Sequence, residues 1–243
     1  MLLKIWSQKD KDGTFIQFHK CHRPLDRGLF LCNTIFIVKE SMAEVQAHGN
    51  KFEDLIIKER TGMTKKDYDN LKANGYTSPF DIVKGYCVDY NASVKTTGSN
   101  TICCGDLLRM MQHREHRLIV GCYTQEGKKK VFHTQYEFYI QPSDYKKLWG
   151  QMDYQKVEQF VEYVKNIPHG KEAQLSTKSE RNQLQEQTQC NEALYSINPK
   201  VDSKKQRRVQ CSLKLDELIA SGVYYEKKEL DMVIQSSRRN FNK

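Results

Sequence analysis

Two charged side chains lie in apolar stretches of the sequence, and their types and spacing suit a chemical role. Asp81 is in "SPFDIV" and Lys95 is in "NASVKTT", and the short apolar runs predict β-strands near residues 79–84 and 90–96. Side chains alternate between the two faces of a strand, so Lys95 shares its face with Ser93. If the two strands pair, the carboxylate and the ammonium converge on one side of a sheet.

Such a pair of groups suits the hydrolysis of a phosphodiester. This reaction needs hard oxygen ligands for Mg²⁺ and a positive charge near the attacking water and the developing charge on phosphorus. Asp81 would be the central metal ligand, and Lys95 would orient or polarise the water. One alternative is a buried Asp–Lys ion pair, for which desolvation can exceed the Coulombic gain. The other is that the strands are misassigned and both groups lie in solvent.

A helix before these strands carries a third candidate. "GNKFEDLIIKERTG" predicts a helix with Asn50 as its N-cap. On the helical wheel Glu53 falls between Ile56 and Ile57, and a carboxylate on an apolar arc needs a partner. A structural partner would be Arg60, which lies two turns along the same face.

Further segments predict the rest of an α/β fold, with a mixed central β-sheet flanked by helices. "TKKDYDNLKANG" predicts a short helix, "ICCGDLLRMMQH" a helix that includes Gly105, and "RLIVGCYTQEGKKKVFHTQYEFYI" a β-hairpin. Two helices, "PSDYKKLWGQM" and "DYQKVEQFVEYVKNI", follow. Residues 171–207 are polar and predict a linker, or a loop that becomes ordered on a polyanion. "VQCSLKLDELIASGVYY" then predicts a strand and a short helix.

The arrangement "PFD…SVK", preceded by the "FEDLI" helix, resembles the PD-(D/E)XK nuclease superfamily, and within it the type II restriction endonucleases. The resemblance covers about residues 49–140. Asp81 matches the aspartate of the motif and Lys95 its lysine. Ser93 stands where a second carboxylate usually lies, and we count it among the candidate catalytic residues.

The resemblance offers two replacements for the missing carboxylate. Some restriction enzymes that carry "SVK" take it from the following helix, which here supplies Asp106 in "CCGDLL". Glu53 matches a helix glutamate that many members contribute. The resemblance thus implies one or two Mg²⁺ ions held by Asp81 with Asp106 or Glu53. For Asp106 the alternative is an ordinary first-turn carboxylate, favoured by the helix dipole.

The resemblance also implies the activity, the partners and the domain organisation. We expect a Mg²⁺-dependent enzyme that cuts double-stranded DNA at a short specific sequence, with no other small-molecule cofactor. A homodimer is expected because two-fold symmetric sites cut both strands of a palindrome. We expect a single nuclease domain over residues 1–243, with its catalytic core at about 45–165. Residues 171–243 would add a polar basic segment and a small β/α element for recognition or dimerisation.

Three other functions remain open at this point. A structure-specific repair or recombination nuclease, such as a junction resolvase, would share the same site. A non-catalytic DNA-binding protein on a decayed nuclease core would explain the missing carboxylate. An RNA-binding or RNA-processing protein would share the basic surface.

The charge of the chain favours a polyanionic partner. The net charge is +9, from 39 basic and 30 acidic residues, and neutralised phosphates release condensed counterions. A basic protein with no nucleic-acid role is the alternative. Basic residues in "QEGKKKVFH", "SDYKKLWGQ" and "DSKKQRRVQ" are the candidate DNA contacts; the last group also fits a nuclear-localisation-like patch or a solvated linker. The candidates are Lys128, Lys129, Lys130, Lys146, Lys147, Lys204, Lys205, Arg207 and Arg208.

Cysteine usage and the N-terminus indicate the compartment. The eight cysteines are scattered, and the adjacent Cys103 and Cys104 suit reduced, buried thiols. His19, Cys21, His22 and Cys32 are conceivable zinc ligands, but their spacing matches no common zinc module. The sequence predicts neither a signal peptide nor a membrane span. We therefore expect a reducing cytoplasm, either bacterial or that of a host cell if the protein is virus-encoded.

Overall fold

The computed structural model describes most of the chain, in segments with gaps between them. The segments are residues 4–9, 15–20, 35–37, 44–75, 78–112, 115–127, 129–168, 170–188, 193–201 and 206–235, with side chains from residue 51 onwards except at 171. The chain divides into two compact units, residues 1–43 and 44–243. The predicted catalytic core, residues 45–165, falls within the second unit.

The first unit contains an antiparallel three-stranded sheet with the strand order β1-β2-β3. Its strands are β1 (Lys4–Lys9), β2 (Phe15–Lys20) and β3 (Ile35–Ile37). The apolar residues of "FIQF" lie in β2. Of the longer run "LFLCNTIFIV", the described strand is β3 alone.

The second unit combines two sheets with helices. Its helices are α1 (Glu44–Thr61), α2 (Lys65–Leu71), α3 (Leu107–Gln112), α4 (Tyr145–Trp149), α5 (Tyr154–Asn166), α6 (Lys171–Gln187) and α7 (Leu215–Ala220). Its strands are β4 (Ala92–Thr97), β5 (Thr101–Asp106), β6 (His116–Glu126), β7 (Lys129–Ile140), β8 (Ser196–Lys200), β9 (Arg208–Lys214) and β10 (Tyr225–Gln235).

The central sheet is mixed and has the order β10-β7-β6-β4. β4 runs parallel to β6, with Lys95 opposite Val120, while β6 and β7 form the predicted antiparallel hairpin. β10, which the sequence did not predict, pairs antiparallel with β7. A second sheet, β5-β9-β8, is antiparallel. The fold is therefore α/β with a mixed central sheet flanked by helices, as predicted.

The two faces of the central sheet bury different partners, because side chains alternate along each strand. Ile119 of β6 packs with Phe52 and Ile57 of α1 in one core cluster. Its neighbours Leu118 and Val120 belong to a larger cluster with residues of α3, α4, α5, α6 and the second sheet. β4 is the edge strand of the central sheet, so its outer backbone groups face the segment that carries Asp81.

Four predicted elements differ in the structure. α1 begins at Glu44, not after a cap at Asn50. The helix predicted through Gly105 begins only at Leu107, because residues 101–106 pair with β9 as β5. A β-bulge lies between Cys103 and Gly105, and Gly105 has a φ of 93°, which favours glycine.

The strand predicted over residues 79–84 is reduced to one antiparallel bridge, between Ile82 and Ala92. The predicted linker contains the helix α6 and the strand β8 instead. α6 buries Ala173, Thr177 and Leu184 on one face, at helical spacing. These three residues are too few to be recognised as an apolar face in so polar a sequence. The helix is stabilised by packing against the core.

The described cysteines are free thiols: Cys87, Cys103, Cys104, Cys122 and Cys211. The prediction for the adjacent pair is half right, since Cys104 is buried and Cys103 is exposed. Burial raises the pKa of Cys104 to about 12, so this thiol stays protonated at neutral pH. Within the described residues, no helix has the length and apolar character needed to cross a membrane.

Candidate active site

The carboxylate of Asp81 is fixed against the edge strand β4. Ile82 and Ala92 exchange two backbone hydrogen bonds, of 3.0 and 2.8 Å, which hold the segment alongside the strand. Oδ2 of Asp81 then accepts hydrogen bonds from the backbone N–H of Val94 at 2.7 Å and from Nζ of Lys95 at 3.2 Å. The predicted convergence of Asp81 and Lys95 is confirmed, although a single bridge rather than a paired strand produces it.

Only one oxygen of this carboxylate is engaged by the protein. Oδ1 of Asp81 accepts no hydrogen bond from the described residues, and the Asp81 side chain is 27% exposed. The Lys95 side chain is 25% exposed. About a quarter of each side chain is therefore exposed to solvent. This differs both from a buried ion pair and from two fully solvated groups.

Lys95 is a cation in this setting. Burial is the largest single effect and opposes its charge, but Asp81, together with Cys104 and Glu53, outweighs burial and raises the pKa of the ammonium. A protonated ammonium cannot accept a proton, so Lys95 cannot act as a general base. It can donate hydrogen bonds to water and stabilise negative charge on an oxygen.

Glu53 lies within electrostatic reach of this pair. It sits on the face of α1 that buries Phe52 and Ile56, and its side chain is 14% exposed. Burial, followed by the negative charge of Asp81, raises the pKa of Glu53, and Lys95 acts in the opposite direction. The structure therefore joins Asp81 and Lys95 directly at the edge of β4 and places Glu53 within electrostatic reach of both.

The structural partner of Glu53 is Lys65, which the sequence did not single out. Nζ of Lys65 donates to Oε1 of Glu53 at 2.8 Å and to Oδ2 of Asp69 at 3.1 Å. The expected alternative partner, Arg60, instead pairs with Glu137 of β7. No local pattern marks Lys65, because its contact depends on how α2 folds back beside α1.

Asp106 occupies a different environment. It is exposed at the end of β5, and its Oδ1 accepts a hydrogen bond from the backbone N–H of Arg109 at 2.9 Å. This bond caps α3, as a carboxylate before a helix commonly does. Within the described residues, no contact joins Asp106 to Asp81 or Lys95.

Ser93 is buried, with 3% of its surface exposed. Strand alternation places it on the same face of β4 as Lys95, as predicted. That face lies towards the larger core cluster, since the intervening Val94 packs in the cluster around α1. A hydroxyl there is too enclosed to resemble the exposed ligand that a second motif carboxylate would provide.

A cavity of about 710 Å³ lies next to the Asp81 segment. Phe80, adjacent in sequence to Asp81, is part of its lining, as are Tyr90, Asn91, Arg117 and Tyr139. The guanidinium of Arg117 stacks on Tyr90, 3.6 Å from the ring centroid, and lies 4.7 Å from that of Tyr139. Aromatic, amide and cationic groups, with the acidic residues Asp89 and Glu115, therefore line a space beside the candidate site. None of these side chains was singled out from the sequence.

The hairpin residues predicted to contact DNA are only partly available for that role. Lys129 is exposed, but Lys130 is 8% exposed and its Nζ lies 3.9 Å from the ring centroid of Tyr123. Lys130 is therefore not a solvated hairpin-tip residue. Lys146 is exposed, and Lys147 forms an ion pair of 3.3 Å with Asp144.

The basic residues predicted to contact DNA in "DSKKQRRVQ" are also only partly available for that role. Arg208 is exposed, whereas Arg207 donates to the backbone carbonyls of Ile167 at 3.1 Å and Pro168 at 3.3 Å. Arg207 thus stabilises the end of α5, where carbonyls lack helical partners. Lys128, Lys204 and Lys205 lie outside the described residues.

Among the described residues, no group of three or more His, Cys, Asp or Glu is arranged to hold a metal ion. The conceivable zinc ligands Cys21, His22 and Cys32 lie outside the described residues, as does the side chain of His19.

Comparisons with protein-family models, with curated proteins and with solved structures gave no match to this chain. The geometry of the site is therefore the basis for inferring its function.

Proposed function

We propose that the protein is a Mg²⁺-dependent endonuclease that hydrolyses phosphodiester bonds of double-stranded DNA at a short specific sequence. Its core would be of the restriction-endonuclease-like type. One observation carries the proposal: the half-exposed Asp81 carboxylate is held by Val94 and Lys95 at the edge of β4, with Glu53 within electrostatic reach.

The donor groups fit Mg²⁺. This ion is commonly bound by one or two carboxylates and completes its octahedral shell with water and substrate phosphate oxygens. Asp81 and Glu53 would hold it through hard oxygen ligands, whereas zinc sites usually include Cys or His. The raised pKa of Glu53 reflects burial and the repulsion between two carboxylates, and a cation between them would relieve this repulsion.

Each residue then has a distinct task. Bound Mg²⁺ would act as a Lewis acid towards the phosphate and would lower the pKa of a coordinated water. The β4 backbone and Lys95 fix the Asp81 carboxylate before substrate arrives, so little reorganisation is needed. The ammonium of Lys95 stabilises the negative charge that develops on the phosphate oxygens. Water is the nucleophile, so no covalent enzyme intermediate forms.

Duplex DNA is the favoured substrate because the net charge of +9 suits a polyanion. The cavity lined by Phe80, Lys84 and Arg109 provides aromatic and cationic groups beside the Asp81 segment. Cleavage of both strands would require a homodimer with two-fold symmetry.

A second candidate is a non-catalytic DNA-binding protein on a nuclease-like core. The observation that favours it is the small acidic set, in which Ser93 is buried at the position of the second motif carboxylate. Such a protein would bind DNA without Mg²⁺ and would not cut it.

The deciding experiment is incubation of the purified protein with long phage DNA and Mg²⁺, alongside Asp81→Asn and an EDTA control. A reproducible set of discrete fragments, absent from both controls, is the expected result. Cleavage of branched DNA alone would favour a junction-resolving nuclease. Equal cleavage by wild type and Asp81→Asn would overturn the proposal, and salt-sensitive binding without cleavage would favour the second candidate.

A further inference from the structure

A basic cavity of about 340 Å³ lies between α6 and β8, in a part of the chain that the sequence predicted to be a linker. Three of its lining residues are cations: Lys178 and Arg181 from α6, and Lys200 from β8. Lys178 and Arg181 are three residues apart and so share one helix face. The cavity is thus built by the packing of a helix against an edge strand.

The charge of this cavity is uncompensated. No Asp or Glu is among its described lining residues. Lys178 and Lys200 are exposed, and neither ammonium forms an ion pair within the described residues. Glu180, the nearest acid along the helix, lines a different cavity, between α5 and α6. A cluster of cations without acids favours an anionic ligand.

Arg181 has an N–H group that no described residue accepts from. Its Nη2 donates to Oδ1 of Asn182 at 3.0 Å, but its Nε is buried and has no hydrogen-bond partner among the described residues. A buried donor without a partner is costly unless a ligand or water accepts from it. The planar guanidinium suits bidentate recognition of phosphate.

Two neutral amides hold the walls of the cavity in place. Asn198 and Gln174 also line the cavity. Nε2 of Gln174 donates to the carbonyl of Val201 at 3.3 Å, and Nδ2 of Asn198 donates to Oγ of Ser212 at 2.7 Å. These bonds tie α6 and β8 to the core, so the cations project from a fixed frame.

We propose that this cavity binds a phosphate group of the DNA backbone and positions the duplex on the enzyme. This inference rests on the proposed function, because it names a substrate contact for the same reaction. The contact carries no sequence information, since phosphate contacts set register and orientation whereas base edges are read elsewhere. Of the sequence-predicted DNA contacts, Arg207 is instead bonded to the end of α5, and Lys178, Arg181 and Lys200 would add a phosphate contact to the others.

The test measures DNA binding by the full-length Asp81→Asn protein, which keeps the substrate intact. Fluorescence anisotropy with labelled duplexes of two unrelated sequences gives affinity over a series of salt concentrations. Lys178→Gln/Lys200→Gln is added to this background, and Arg181→Gln is tested separately. Because both lysines are exposed, the double variant should fold, and its circular dichroism spectrum verifies this. Lys165→Gln is the matched control, since Lys165 is on the neighbouring helix α5 and is already paired with Glu162.

The double variant should weaken binding equally for both duplexes. It should also reduce the slope of log affinity against log salt by about 0.9 for each phosphate that the variant no longer neutralises. Lys165→Gln should leave the slope unchanged. If the parent protein binds DNA but the cavity variants and Lys165→Gln have the same slope, this inference fails while the proposed function stands.

Two further measurements distinguish a phosphate of duplex DNA from other anionic ligands. Calorimetry with inorganic phosphate alone detects a free-phosphate site. If the cavity variants abolish phosphate binding but leave the slope of log DNA affinity against log salt unchanged, the proposed DNA contact is wrong. Preference of the cavity for RNA over duplex DNA in competition would overturn it as well. A parent protein that does not bind duplex DNA at any salt concentration would overturn the proposed function itself.

Discussion

Helix α1 contributes a residue to each of two clusters of charged side chains, Arg60 to one and Glu53 to the other. The carboxylates of the two clusters differ in how many of their oxygens accept hydrogen bonds. Glu137 is 5% exposed in its side chain, and each of its oxygens has an arginine: Arg60 donates to Oε2 at 2.6 Å and Arg117 to Oε1 at 2.9 Å. Asp81 is 27% exposed and uses only Oδ2, which accepts from Val94 and Lys95.

The difference separates a structural cluster from one that can bind a ligand. Both oxygens of Glu137 are occupied, so a metal ion or substrate would have to displace an arginine. Arg117 is held further by stacking on Tyr90. Asp81 keeps one oxygen free of donors among the described residues, and its charge contributes, after burial, to the raised pKa of a second carboxylate, Glu53. Incomplete satisfaction of acidic groups is common at functional sites.

The largest expected effect is on catalysis, from Asp81→Asn. The amide keeps an oxygen for the Val94 N–H but loses the charge, so the free energy of unfolding should change little. Cleavage should fall by about a thousandfold, the size expected when one preorganised electrostatic group is removed. Single-turnover cleavage rates and urea denaturation measure the two quantities. A wild-type cleavage rate would remove Asp81 from the active site.

The matching change in the structural cluster is Glu137→Gln, and its effect should be on folding. It leaves two arginines without their counter-charge, and their side chains are each 25% exposed. We expect a loss of about 3 kcal/mol in the free energy of unfolding, because breaking a largely buried pair leaves uncompensated charge. The folded fraction should still cut DNA at a rate close to wild type.

The exposed pair Lys165–Glu162 supplies the control for this change. Its side chains are 50% and 55% exposed, so Glu162→Gln should cost no more than about 0.5 kcal/mol. An equal loss in Glu137→Gln and Glu162→Gln would show that the Glu137 cluster does not stabilise the fold.

The sequence predicted the Asp81–Lys95 cluster better than the Glu137 cluster. Asp81 and Lys95 belong to neighbouring segments, so the expectation that these segments pair was sufficient to bring them together, although the pairing is a single bridge. Arg60 and Glu137 are separated by 77 positions, and no local pattern indicates that they meet. For the same reason Arg60 was considered as a partner of Glu53, a position that Lys65 occupies.

Secondary structure was predicted well where the spacing of apolar residues within a single element determines it. The β6–β7 hairpin and α5 follow from alternation and helical spacing, and α5 buries Val157, Phe160 and Val164 as expected. Residues 101–106 fold as a strand because β9, about 100 positions later, pairs with them. The role of Asp106 changed with that pairing, since the carboxylate became the cap of a helix that begins at Leu107.

The third prediction decides between Glu53 and Asp106 as the second carboxylate. Glu53→Gln removes a charge within reach of Asp81, so cleavage should fall about 10- to 100-fold and require more Mg²⁺ for half-maximal rate. Asp106→Asn keeps an oxygen that can cap α3 and should cut DNA at nearly the wild-type rate. A Mg²⁺ titration of single-turnover rates compares the two variants. The reverse ranking would assign the metal ligand to Asp106.

The smallest expected effect is a pH dependence that distinguishes two carboxylates bound to the same lysine. Lys65 donates to Glu53 and to Asp69, yet their pKa values move in opposite directions. Burial and then the charge of Asp81 raise the pKa of Glu53 from its ordinary 4.5. Burial of Asp69 is outweighed by hydrogen bonds from Lys72 and Lys65, which lower its pKa from 3.8.

The signs of the two stability effects follow from proton binding. Between pH 4.5 and the raised pKa of Glu53, the folded protein binds more protons than the unfolded chain, so stability falls as the pH rises through this window. The stabilisation from Asp69 is present above pH 3.8 and is lost as the pH falls through its lowered pKa. Urea denaturation at several pH values should therefore find Glu53→Gln more stable than wild type at neutral pH, with a gap that narrows on acidification. Asp69→Asn should be less stable than wild type at neutral pH and should approach it in acid. If Glu53→Gln also proved less stable at neutral pH, Glu53 would belong with Glu137, as a structural carboxylate.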